Sequence, residues 1–184
     1  MCGEFNYFYR IAEALICAKK YREASFFYGI LLKLKPENAS LWHGFANCLE
    51  KIGDREGSKI AYENALKYHL IENDRKSLLW GGWAAMKLGN IELAYNLFKK
   101  SLKEDPSYAY TWISFAAAAS KIGKDDEAEE ARKMYRNLVK KNPYKRRECE
   151  GKEMLEEILK KCDGIWKEFL ELMINEIGCV DYEG

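Results

Sequence analysis

The sequence predicts an all-α fold made by repetition: a solenoid of four helix pairs followed by a long C-terminal helix. Three observations carry this prediction. The small residues Ala24, Ser58, Ala94 and Ala128 recur at intervals of 34, 36 and 34. Each is preceded by an apolar series with helical spacing: Phe8-Ile11-Ala12-Leu15, Trp42-Phe45-Ala46-Leu49, Leu78-Gly81-Gly82-Ala85 and Trp112-Phe115-Ala116-Ala119. A glycine also falls eleven residues after the large landmark in three units, at Gly53, Gly89 and Gly123. A period near 34 assembled from two short helices marks a stack of repeats, each burying its apolar face on its neighbours.

The first unit spans residues 5–38, with helices over 5–18 and 21–34. The second stops at Pro36, which would lose a hydrogen bond and clash with the preceding turn if the helix continued. The second unit spans 39–72, its helices separated by Lys51-Ile52-Gly53-Asp54, where glycine is free to take the left-handed conformation that ends a helix. Lys19 occupies the matching place in the first unit. The third unit spans 75–108, ends at Pro106 and follows the two extra residues Asn73-Asp74. Its Gly81-Gly82 pair lies inside a helix, where two helices must pack closely. The fourth spans 109–142, and its second helix is longer, with Ala131 and Tyr135 offering a landmark register shifted by three. Residues 1–143 thus form a repeat domain and 144–184 a helical extension.

In that extension the series Met154, Leu155, Ile158, Leu159, Cys162, Ile165, Trp166, Phe169, Leu170, Met173, Ile174, Ile177 keeps one helix face apolar. It predicts one helix over 148–177, with a kink at Asp163-Gly164. Open repeat stacks need an end cap that hides the last apolar face, and capping is the expected role. Self-association through the same stripe, and folding into the chain's own groove, are the alternatives.

Composition excludes several function classes. Thirty basic residues against 29 acidic ones give no bulk field toward nucleic acid or anionic membrane. No apolar run approaches a bilayer span, and no basic region followed by an apolar run opens the chain, so a soluble cytoplasmic protein is expected. The complete lack of glutamine, with abundant Lys, Glu, Ile and Tyr, hints at a thermophilic source. Six cysteines without a C-x-x-C pair read as scattered thiols. The two histidines, His43 and His69, lie on different helices of one repeat, and neither has a sequence neighbour suggesting a triad or metal site; carboxylate pairs such as Glu129-Glu130 and Glu156-Glu157 read as solvated helix faces. No enzyme activity, cofactor or metal is expected. The basic cluster Lys140-Lys141 to Lys145-Arg146-Arg147 is followed at once by Glu148 and Glu150 and reads as a solvated hinge, so no nucleic-acid partner is expected.

Taken together, the landmarks over residues 5–142 resemble the tetratricopeptide repeat. That resemblance implies a right-handed α-solenoid in which the first helix of each pair lines a concave, partner-binding face. By register, the face is expected to present Tyr9 and Glu13 from the first repeat and His43 and Asn47 from the second. Lys76, Leu79, Trp83 and Met86 would come from the third, Tyr110 and Ile113 from the fourth. Some co-chaperones of this family grip a C-terminal carboxylate with Lys and Asn at positions where this chain has Tyr9/Glu13 and His43/Asn47. Only Asn47 matches, and Glu13 would repel the carboxylate. The resemblance therefore implies a non-enzymatic adaptor that holds a peptide or helix of a partner protein, without the carboxylate clamp. The alternative is a structural protein forming a homodimer through 148–177.

Overall fold

The computed structural model describes residues 2–141, 151–160 and 171, with main chain alone for 2–4 and 151–154. Among the described residues, eight helices form four consecutive pairs. They are α1 (Cys2–Cys17) with α2 (Tyr21–Leu34), α3 (Ala39–Ile52) with α4 (Arg55–Glu72), α5 (Arg75–Lys87) with α6 (Ile91–Glu104), and α7 (Ala109–Lys121) with α8 (Asp125–Lys141). Each helix packs on its predecessor and successor, and α3 also touches α5 as α5 touches α7. Burial follows the same logic. Instead of one centre there are three apolar clusters, one per stretch of the stack. Trp42 and Phe45 pack against both the first and the middle cluster, and Leu66 against both the middle and the last. This is the expected all-α solenoid.

Local sequence explains where the helices begin and end. Asn38, Asp54, Asp74 and Asn90 each accept a hydrogen bond from the backbone N–H three residues on, capping α3, α4, α5 and α6. Gly53, Gly89 and Gly123 have φ of 85°, 81° and 76°, the left-handed turn their spacing predicts. Lys19 takes the same turn at φ 59° without being glycine. The longer interval of 36 has a physical source: α4 runs to Glu72 and is closed by Asn73 in the left-handed region. Trp42 Nε1 donates to the Pro36 carbonyl and Trp112 Nε1 to the Pro106 carbonyl, both at 2.7 Å, so the same tie recurs at two junctions between pairs.

The C-terminal segment departs from expectation. A further helix, α9 (Gly151–Leu159), ends there, with Lys160 in a turn, so a single unbroken helix over 148–177 does not form. The rest of that expected helix lies outside the described residues, apart from the helical residue 171. The partner of α9 is also not the last pair. It packs on α1, where Leu155 and Ile158 are fully buried in the first cluster with Ile11 and Leu15. The Tyr7 hydroxyl donates to the Ile158 carbonyl at 2.6 Å, and Arg10 lies 3.7 Å from Glu157. The described part of the extension therefore covers the apolar face of α1, in the first repeat. Among the cysteines, Cys48 is a buried thiol, whereas Cys17 is disulfide-bonded and departs from the expectation of scattered thiols.

Candidate functional site

The inner helices converge on a pocket of about 310 Å³ lined from three successive pairs. Helix α1 contributes Tyr9, Glu13 and Ile16. Tyr28 projects from α2, and α3 contributes Ser40, His43, Gly44 and Asn47. His69 comes from the end of α4, and Lys76 and Trp80 from α5. Residue 44 must be small here: a Cβ would meet the Tyr28 ring at 2.4 Å, so the ring packs directly over the α3 backbone and forms part of the pocket wall.

Two imidazoles sit at this site. His43 and His69 are largely buried, with ring centroids 5.9 Å apart, and Trp80 lies 5.2 Å from His43. His43 Nδ1 and both ring nitrogens of His69 have no hydrogen-bond partner among the described residues. Burial is the main reason both are held neutral. For His43, His69 and Lys87 push the same way against Glu50, lowering the pKa to about 4. For His69, burial and Lys76 outweigh the opposite pull of Asp74, again giving about 4. At the other end, the Tyr28 hydroxyl donates to the Glu13 carboxylate. Burial first, and then the Glu13 charge, push the Tyr28 and Tyr9 hydroxyls upward. The Cys48 thiol is driven to about 12 by the same two causes.

A second hollow, of about 230 Å³, adjoins the first and shares Lys76 and Trp80 with it. It adds Arg75, Leu79, Ser101, Tyr108 and Thr111. Aromatic contacts run on from there: Trp80 to Tyr110 at 6.2 Å, and Tyr110 stacked on Trp83 at 6.0 Å.

The expected residues divide accordingly. Tyr9, Glu13, His43, Asn47 and Lys76 gather in the main pocket. Leu79 lines the second hollow but is only 3% exposed and belongs to the last apolar cluster. Trp83 and Met86 are half-buried against that cluster. Trp83 is held by Phe98, by Tyr110 and by a hydrogen bond from its Nε1 to Ser114 Oγ at 3.1 Å. Tyr110 is exposed and joins the aromatic run, whereas Ile113 is half-buried and lines neither hollow. Counting by repeat register passes over Trp80, Tyr28 and His69. The signal that could have found the first is Trp80 itself, a large aromatic directly before two glycines.

Two further features bear on chemistry. Tyr62 Oη lies 2.7 Å from both Asn47 Oδ1 and Glu50 Oε2, and Lys87 Nζ sits 2.6 Å from Glu50 Oε1. Burial alone would raise the Glu50 pKa, but the hydrogen bonds from Lys87 and Tyr62 outweigh it and hold the carboxyl low. Among the described residues no group of three His, Cys, Asp or Glu side chains could hold a metal ion. None of their helices is long and apolar enough to cross a membrane.

This architecture defines a class: a solenoid of helix pairs with an inward-facing groove. Residues 76–108, the third pair, match the sequence model of the tetratricopeptide repeat. MamA from Desulfovibrio magneticus RS-1, residues 41 to the end, is similar at a TM-score of 0.57 and 17% identity, covering 74% of this chain and 76% of that one. A second MamA structure is similar over 100% of this chain and 98% of the other, at a TM-score of 0.57 and 16% identity. The APC/C hetero-tetramer Cut9–Hcn1 matches at 0.56 and 19% identity, over 85% of this chain and 31% of that one. At these identities the likeness is one of fold. No curated protein matches the sequence. Residues 76–108 thus carry a tetratricopeptide repeat by sequence, and the chain as a whole shares the helix-pair solenoid fold of these structures.

Proposed function

We propose that this protein is a non-enzymatic adaptor whose concave face holds a peptide or helix of a partner protein. The observation that carries the reading is the main pocket. Tyr9, His43, Asn47, Lys76 and Trp80 come together from three repeats to line one hollow that mixes aromatic and polar groups. Extended or helical segments are the usual occupants of such grooves. Binding is favoured over catalysis because His69 makes no hydrogen bond through either ring nitrogen and so orients no nucleophile among the described residues.

Trp80 is the residue to test. Peptides selected from a random display library on the wild-type chain should lose most of their affinity for Trp80→Ala, with far-ultraviolet circular dichroism unchanged. Trp83→Ala is a poorer probe, since that ring packs on Phe98 and its loss would also disturb the core. Homodimerisation through 148–177 is less well supported, because Leu155 and Ile158 bury their side chains on α1 of the same chain.

A further inference from the structure

We infer that the repeat-one end of the groove pocket takes a cationic side chain, an arginine or lysine of the bound segment, seated against the Glu13 carboxylate. The inference rests on the groove being the binding face and adds the chemistry that it reads.

Glu13 is half-buried in the pocket, and it accepts a hydrogen bond from the neutral Tyr28 hydroxyl. Among the described residues it has no cation within 4 Å, unlike the acids Glu50, Asp105, Glu127 and Glu129. Glu50 is paired with Lys87, Asp105 with Arg75, and Glu127 with both Lys99 and Lys124. Removing a carboxylate from water without a counter-charge is unfavourable, and a ligand cation recovers that loss. The charge is felt locally, since Glu13 helps to raise Tyr9, Tyr28 and Cys48.

Nothing else lining the pocket cancels this charge. The two imidazoles titrate near pH 4 and are neutral at physiological pH. Lys76 is the other charged group in the lining, and it is two inner helices away on α5, where it acts on His69. The pocket is therefore dipolar, negative at the first repeat and positive at the third. Tyr9, His43 and Trp80 supply aromatic surface, which favours a guanidinium or ammonium group over an anion. A partner's carboxylate would be turned away from Glu13 and toward Lys76.

The test is the sequence content of peptides selected on the wild-type chain from a random library. They should share a basic residue at a fixed position. Changing that residue to glutamine in the peptide should weaken binding to the wild-type protein about tenfold or more, the scale of losing one well-placed charge pair. Glu13→Gln keeps an acceptor for Tyr28 and should give the same loss at an unchanged melting temperature. Glu13→Lys should select an acidic residue instead. Selected peptides that ignore Trp80→Ala would overturn the groove itself. Peptides that need Trp80 but carry no basic residue, or bind Glu13→Gln as tightly as wild type, would overturn the cationic anchor alone.

Discussion

His43 and His69, from the two helices of one repeat, meet with ring centroids 5.9 Å apart and planes inclined at 65°. Both are neutral when folded, titrating near pH 4 rather than at 6.5. The unfolded chain therefore binds protons between these values while the folded chain does not. By linkage, stability is full above pH 6.5 and falls as the pH drops toward 4, by on the order of 3 kcal/mol per imidazole if fully expressed. Glu72, 3.6 Å from His69 Nδ1, offsets part of that loss by attracting the protonated ring. Chemical denaturation from pH 7.5 to 4.5 should show the decline, and His69→Phe should flatten it.

Two glycine substitutions in helices should have opposite signs. A Cβ at Gly82 would lie 2.4 Å from Phe98 Cε1, in a ring that is fully buried and has nowhere to move. Overpacking of this kind costs about 1–3 kcal/mol, against which the helical preference for alanine returns about 1 kcal/mol. Gly82→Ala should therefore destabilise. Gly29, in α2, has nothing within 4 Å of where an alanine methyl would stand, so Gly29→Ala should stabilise by about 1 kcal/mol. Urea midpoints measured side by side check both.

Lys19 holds the left-handed turn that glycine holds at Gly53, Gly89 and Gly123. A residue with a Cβ is disfavoured there by roughly 1–2 kcal/mol. Lys19→Gly should raise stability by about 1 kcal/mol, part of the relief being lost to the greater freedom of glycine in the unfolded chain. The same change at Ala18, one residue away in φ-negative backbone, should not.

The packing of α9 on α1 predicts that the extension stabilises the first repeat. Leu155→Ala should cost about 2–5 kcal/mol, as for other fully buried leucines. Hydrogen exchange should quicken most in α1 and α2, far from the site of exchange changes expected for a cap on α8.

Much of this architecture is legible in the chain itself. The helix pairs follow from landmark spacing because a repeat must bury the same face at the same interval, and the left-handed glycines follow from the turn chemistry. Half of the groove follows too: Tyr9, Glu13, His43, Asn47 and Lys76 all reach the pocket. Trp80 escapes register counting, which treats equivalent positions alike, whereas its counterpart Gly44 carries no side chain and yields its place to the Tyr28 ring. The His43–His69 contact is invisible in the sequence because it depends on how far α4 extends, and α4 is the second helix lengthened ahead of the 36-residue interval. The apolar stripe of the extension announces that something must cover it. Its partner α1, at the opposite end of the chain, cannot be read from a one-sided pattern.

The most direct test of groove binding is amide and indole chemical-shift mapping of the isotope-labelled chain, titrated with a library-selected peptide. Shifts should centre on Tyr9, Glu13, His43, Asn47 and the Trp80 indole, with α2, α4 and α6 otherwise quiet. Shifts confined to the outer helices, with the Trp80 indole unmoved at saturation, would contradict it.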